Sequence, residues 1–176
     1  GAGLIVIGIL RRFHISHEFA YTIWSDRDLV RAAEILQFPQ TSGAELYLTK
    51  GARTPGAFFY YVTWLLMRIT PSPGGLSVIN MLLDLTGLAI LWAVVARYFD
   101  RRLGLAVGAM YAACPVSFDA LSQFWNPSLT PFLSISIFTL LLNAAVSKRH
   151  WCLPFMYFVI AIAGQLHLSM LSLIPI

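Results

Sequence analysis

Residues 75–96 read GLSVINMLLDLTGLAILWAVVA, and Arg97 follows at once. Asp84 is the one ionisable residue in this stretch, which has the length a helix needs to cross the ~30 Å hydrocarbon core of a bilayer. A bilayer offers no partner to an unpaired backbone group, so a spanning segment must be a helix or a strand of a closed barrel. The stretch shows no alternation of apolar and polar residues, which argues against a barrel strand. The expected element is a transmembrane helix over 75–96.

The same reading extends to both sides. Residues 1–10 resemble the end of a further span, closed by Arg11-Arg12. Downstream, spans are expected over 103–121, with Pro115 near the far end, over 128–146, stopping at Lys148-Arg149-His150, and over 151–173. Trp125-Asn126-Pro127 is a sharp break between two of them. Gly104, Gly108 and Ala112 form a small-xxx-small stripe, whose ordinary use is close helix packing. The expected fold is therefore an all-α, polytopic transmembrane helical bundle of one partial and four full spans. A long outer loop, 13–74, would carry short amphipathic helices.

Composition agrees. Of 176 residues, 58% are hydrophobic and 11% charged, against about 25% charged in soluble domains. The chain begins and ends in apolar sequence without an initiator Met, so it reads as the N-terminal part of one larger membrane domain. The first apolar run lacks a basic leader and a cleavage site, which reads against a signal peptide. The net charge of +4 comes from Arg and Lys at segment ends, where head groups lie, and no basic run with interleaved aromatics points to nucleic acid. The expected topology puts Cys114 and Cys152 near opposite membrane faces, too far apart for a disulfide. Arg97, Arg101, Arg102, Lys148 and Arg149 share one side, expected to be cytoplasmic, which puts 13–74 outside. Basic residues also occur in that long segment, but long loops weigh little in this rule.

The outer segment is where chemistry is written. Ser25-Asp26-Arg27-Asp28 precedes Leu29 to Leu36, an amphipathic helix expected to end before Pro39. Ser25 and Asp28 have capping-box spacing, so Asp28 reads equally as a helix cap or as an acid able to take a proton from an acceptor. Asp26 and Asp28 are two apart and would not face each other on a helix. A second apolar, aromatic helix is expected over 57–67, too short to span and suited to the interface. Lys50 and Arg53 just precede it. Either anchors to head groups, and Arg53 in particular has the guanidinium fork that grips a lipid phosphate.

These motifs together resemble the protein mannosyltransferase and aminoarabinose transferase superfamily, the GT-C membrane glycosyltransferases (glycosyltransferase family 39-like). Asp28-Leu29-Val30-Arg31-Ala32-Ala33-Glu34-Ile35 is similar to that family's Asp-Glu-x-Arg-Tyr-Ala-Glu-Ile run, whose Asp is the catalytic candidate. Pro55-Gly56-Ala57-Phe58-Phe59-Tyr60-Tyr61 resembles its Pro-Gly-Pro-Leu-Tyr-Tyr-Tyr stretch. Phe124-Trp125-Asn126-Pro127-Ser128-Leu129 resembles a Trp-Asn-Pro-Asn-Leu block of bacterial members, and Gln165-Leu166-His167 a Gln-Leu-His block. Leu29 departs from the family's second acid, and Arg53 stands near its lipid-facing Lys. The resemblance implies transfer of a sugar from a polyprenyl-phosphate donor to a lipid, glycan or protein acceptor, at the outer face of a bacterial inner membrane. It implies Asp28 as general base. Arg53, Lys50, Tyr60, Tyr61, Asp26, Arg31, Trp125, Asn126 and His167 would be the substrate-binding candidates, and membrane lipids and no nucleic acid the other partners.

Four further groups are read from the residues alone. Asp84 lies mid-span, where acids are costly and often functional, yet no cation stands at helical spacing from it, so it reads equally as a protonated or hydrogen-bonded group facing the bundle interior. Asp119 reads as an interfacial acid. His167 with Gln165 reads equally as a packing histidine. His14, His17 and Glu18 have spacing compatible with a divalent metal, but three candidates without a fourth do not make a site, so no cofactor is expected. The rival function is a non-catalytic transporter or lipid flippase. It predicts broken helices near mid-depth and related halves, neither of which is visible in the sequence.

Overall fold

The computed structural model describes residues 2–17, 22–37 and 58–166. Among these, every regular element is helical. They are α1 (Ala2–His17), α2 (Ile23–Gln37), α3 (Phe58–Ile69), α4 (Pro73–Tyr98), α5 (Arg101–Ala112), α6 (Pro115–Ser122), a 3₁₀ turn (Asn126–Leu129), α7 (Thr130–Ala145) and α8 (Cys152–Leu166). Two helical stretches, Pro73–Tyr98 and Asn126–Ala145, are long and apolar enough to cross a membrane.

α4 is the central element, in contact with α1, α5, α6 and α7. Pro73 opens it at a position where a missing N–H costs nothing, and the Ser72 hydroxyl accepts from the Gly75 N–H at 3.0 Å. α5 runs back along α4 after a tight turn, with the Asp100 carboxylate accepting from the N–H groups of Arg102 and Leu103 at 2.6 and 2.9 Å. The small-residue stripe is the contact face. A Cβ on Gly104 would sit 2.9 Å from the Ala96 Cβ, and one on Gly8 of α1 would sit 2.5 Å from the Ala112 carbonyl oxygen. At the far end of α4, the Tyr98 hydroxyl donates to Asn143 Oδ1 of α7 at 2.6 Å. α7 and α8 pack through Ile137, Met156, Ile160 and Ala163.

The structure corrects several boundaries. The first helix does not close at Arg11-Arg12 but continues to His17, so residues 13–17 are helical rather than loop. The segment 103–121 is not one helix. It breaks at Ala113-Cys114, between α5 and α6. Pro115 is the cause: it has no N–H to continue the ladder and forces the preceding residue out of the α region. Cys114 accordingly adopts φ −68°, ψ 120°. Neither Cys114 nor Cys152 is in a disulfide.

The largest correction concerns charge. Arg12 is fully buried, not at a helix end in contact with head groups, and Asp84 does have a cation. The Arg12 Nε donates to Asp84 Oδ2 at 2.5 Å, across 72 residues of sequence. The Tyr111 hydroxyl donates to the other Asp84 oxygen. Arg12 also donates to the carbonyls of Ala112 at 2.7 Å and Tyr111 at 3.2 Å, the last carbonyls of α5. Helical spacing along one chain cannot reveal such a pair, because the partner comes from another helix.

Candidate functional site

Three segments meet at Asp28. α2 brings the carboxylate, α3 brings Tyr60, and the 3₁₀ turn after α6 brings Asn126. α2 and α3 pack against each other, each burying one face: Ala32 on α2 and Phe59, Tyr60 and Thr63 on α3 are buried. Phe124 fills the corner under them, its ring centroid 5.5 Å from that of Phe59, and Leu76, Leu129 and Leu166 complete the apolar wall.

The capping reading of Asp28 does not hold. α2 starts at Ile23, which places Asp28 in its second turn. Ser25 turns instead to Thr22, accepting from the Thr22 N–H at 2.9 Å. The Asp28 side chain is 1% exposed. Its Oδ1 accepts from Arg27 Nε at 2.8 Å, Arg27 Nη2 at 2.6 Å and the Tyr60 hydroxyl at 3.2 Å. Its Oδ2 accepts from the Asn126 N–H at 3.1 Å. That N–H opens the 3₁₀ turn and would otherwise lack an acceptor. The turn is fixed by Ser128, whose hydroxyl donates to the Gln123 carbonyl at 2.8 Å and accepts from the Trp125 N–H at 3.0 Å. Thr22 donates to Gln123 Oε1 at 3.2 Å, tying the start of α2 to the end of α6.

Burial raises the Asp28 pKa above its ordinary 3.8, although Arg27, Asn126 and Tyr60 all favour the ionised form. Burial, followed by the neighbouring Asp28 charge, pushes Tyr60 up to about 12, so its phenol stays protonated and donates. Asn126 Oδ1 and Thr63 Oγ1 are buried without a hydrogen-bond partner. Orphaned buried polar atoms are costly and call for a reason. This arrangement can take a proton at Asp28, whose raised pKa makes it a stronger base, and can accept a hydroxyl donor at Asn126 Oδ1.

Of the sequence candidates, the structure brings together Asp28, Tyr60 and Asn126, with Trp125 half-buried beside them. Tyr61, Asp26 and Arg31 do not join them. Tyr61 is 46% exposed, on the opposite side of α3 from Thr63. Asp26 is exposed, and Arg31 pairs with Glu34 on the surface at 2.8 Å. Lys50, Arg53 and His167 lie outside the described residues, as do Glu18 and the Pro55-Gly56 motif. No three metal-ligating side chains gather among the described residues.

Sequence reasoning missed Arg27, Thr22 and Gln123. Arg27 adjoins Asp28, and neighbours on a helix do not ordinarily face each other, so spacing gave no signal. Gln123 reaches Thr22 across 101 positions, which nothing local encodes. No family model matches this chain, nor does any curated protein or any solved structure.

Proposed function

We propose that the chain is part of a multi-pass membrane glycosyltransferase. It would move a sugar from a polyprenyl-phosphate donor to a lipid, glycan or protein acceptor on the extracytoplasmic side. The observation that carries this reading is the meeting of Asp28, Tyr60 and Asn126, from three separate motifs of the family resemblance, around one buried carboxylate. Asp28 is the general base. Arg53, with Lys50, stabilises the leaving phosphate as the glycosidic bond breaks. The aromatic helix α3 borders the path of the lipid. The membrane setting draws support from surface chemistry: only 39% of the apolar stretch in α4 is buried, and Leu82, Met110 and Phe158 are exposed. A soluble core helix would hide such residues.

The test is Asp28→Asn in the full-length protein, assayed with a panel of polyprenyl-linked sugars and product mass spectrometry. Asn keeps an acceptor for Tyr60 and Arg27 and removes the base. Transfer is expected to fall about 10²-fold or more, with a stability loss of no more than about 1–2 kcal/mol. Unchanged turnover would sink the assignment.

One observation favours the rival. α5 and α6 form a broken helix, and the break lies against a buried ion pair near the middle of α4. Transporters build midplane sites from such breaks. Under that reading Arg12→Gln abolishes substrate flux in vesicles, whereas Asp28→Asn spares it.

A further inference from the structure

Helix α6 is held at both ends. Its root is the break at Ala113-Cys114, and its tip is the turn that meets Asp28. The root belongs to Arg12. An α-helix leaves its last carbonyls without internal partners, and a break inside a packed bundle would strand them. Arg12 donates to two of these last carbonyls from the α5 side, Ala112 and Tyr111, the latter also accepting from the Cys114 N–H at 3.1 Å. Its guanidinium carbon also lies 4.9 Å from the ring centroid of Phe118, on the α6 side. Arg11 covers the same ring at 4.4 Å. One guanidinium therefore spans the break. Asp84 takes the Nε and so orients the fork, while Gly8 lets α1 come close enough for the reach. The tip belongs to the candidate site: Gln123 accepts from Thr22, Phe124 packs on Phe59, and the Asn126 N–H meets Asp28. Root and tip are joined by the eight residues of α6, about 12 Å of helix. A helix this short moves as a unit, so a shift at its root displaces its tip.

We infer that Arg12 is a positioning residue for the Asp28 site. By clamping both sides of the α5–α6 break, it fixes α6 and thereby sets the Asn126 N–H on the Asp28 carboxylate. The functional consequence rests on the glycosyltransferase reading; the placement does not.

The test uses the full-length protein in lipid nanodiscs. The key variant is Arg12→Leu with Asp84→Leu. Replacing both members of a buried pair by apolar residues is often neutral or stabilising, so this variant separates positioning from folding. Cys114, half-buried at the break, reports the root through its rate of maleimide alkylation, resolved by peptide mass spectrometry. Cys152, buried at 2% exposure, is the internal control for unfolding. A short thiol cross-linker between cysteines introduced at Thr22 and Gln123 reports the tip. In the double variant, Cys114 should react at least about tenfold faster, the size of one lost charged hydrogen bond, with Cys152 unchanged and the tip cross-link reduced. Arg12→Lys, which keeps the charge without the fork, should fall between. If Cys114 and the cross-link both behave as in wild type, the inference is overturned. Should the double variant expose Cys152, Arg12→Lys carries the decision on the same two readings. Where wild-type transfer is measurable, the double variant should lower kcat more than it raises KM. Absence of transfer in the wild type would count against the enzyme reading and leave the two thiol readings to decide the placement.

Discussion

Asp84 and Asp28 are both buried acids, each with an arginine beside it, and their surroundings differ in kind. Asp84 sits where α1, α4 and α5 pack together. Arg12, itself 0% exposed, pairs with it, and Tyr111 occupies its second oxygen. The guanidinium also satisfies helix carbonyls, so the cluster closes on itself. Asp28 sits between α2, α3 and the turn at Asn126. Its arginine is 26% exposed, and Asn126, whose N–H meets Asp28, carries a buried side-chain oxygen without a hydrogen-bond partner. A closed network rigidifies a fold. An open one has capacity left for a ligand. The contrast fits a structural role for the first acid and, under the function proposed above, a chemical role for the second.

The sharpest way to break this contrast is to remove one member of each pair and compare stabilities. Arg12→Ala leaves Asp84 buried without its counter-charge and strands the Ala112 carbonyl. The expected cost is about 3–5 kcal/mol. Asp28→Asn keeps its acceptor oxygen and should cost no more than about 1–2 kcal/mol. Thermal unfolding in detergent, read by light scattering or intrinsic fluorescence, gives both numbers. Equal losses would erase the distinction.

A smaller effect tests how Arg12 reaches the break. Gly8 lies where a Cβ would come 2.5 Å from a backbone oxygen, which has no room to yield. Gly8→Val should cost about 1–3 kcal/mol through overpacking, and it should speed alkylation of Cys114 as the Arg12 fork is pushed off Ala112. Gly3, with nothing within 4 Å of its would-be Cβ, is the matched control, and Gly3→Val should be near neutral. A Gly8 variant as stable as the Gly3 variant would mean the close approach does not hold the cluster.

The difference between the two acids also explains what was legible beforehand. Apolar run length gave the helical class and α4 to within two residues at each end, because that signal is local. The stripe Gly104, Gly108, Ala112 gave the α5 contact face, because steric permission is written in residue size. Pro115 lies near the far end of the span expected over 103–121, and its interruption of that span was not legible, because a proline late in an apolar run can be tolerated or can end the helix. Asp28 was found through its motif. The cation at Asp84 was not found, because Arg12 belongs to another helix and its burial depends on three-helix packing. Buried pairs between helices are tertiary facts, and no periodicity encodes them.

The finest test of the contrast is pH. A raised folded pKa means that the folded state holds the Asp28 proton more tightly than the unfolded chain does. The stabilisation this provides is fully present below the unfolded pKa, ordinarily 3.8, and is lost as pH rises through the folded value. Asn does not titrate. The stability of wild type relative to Asp28→Asn should therefore decline as pH rises above about 4, then level off. Tyr60→Phe removes a donor that favours the ionised form, so it raises the folded Asp28 pKa further and extends that decline to higher pH without changing where it begins. The hydrogen bond itself should account for about 0.5–1.5 kcal/mol. If transfer depends on Asp28 as base, the acid limb of its rate profile should move in the same direction in Tyr60→Phe. A limb that stays put while the stability curve moves would separate the titrating carboxylate from the chemistry and leave Asp28, like Asp84, a structural acid.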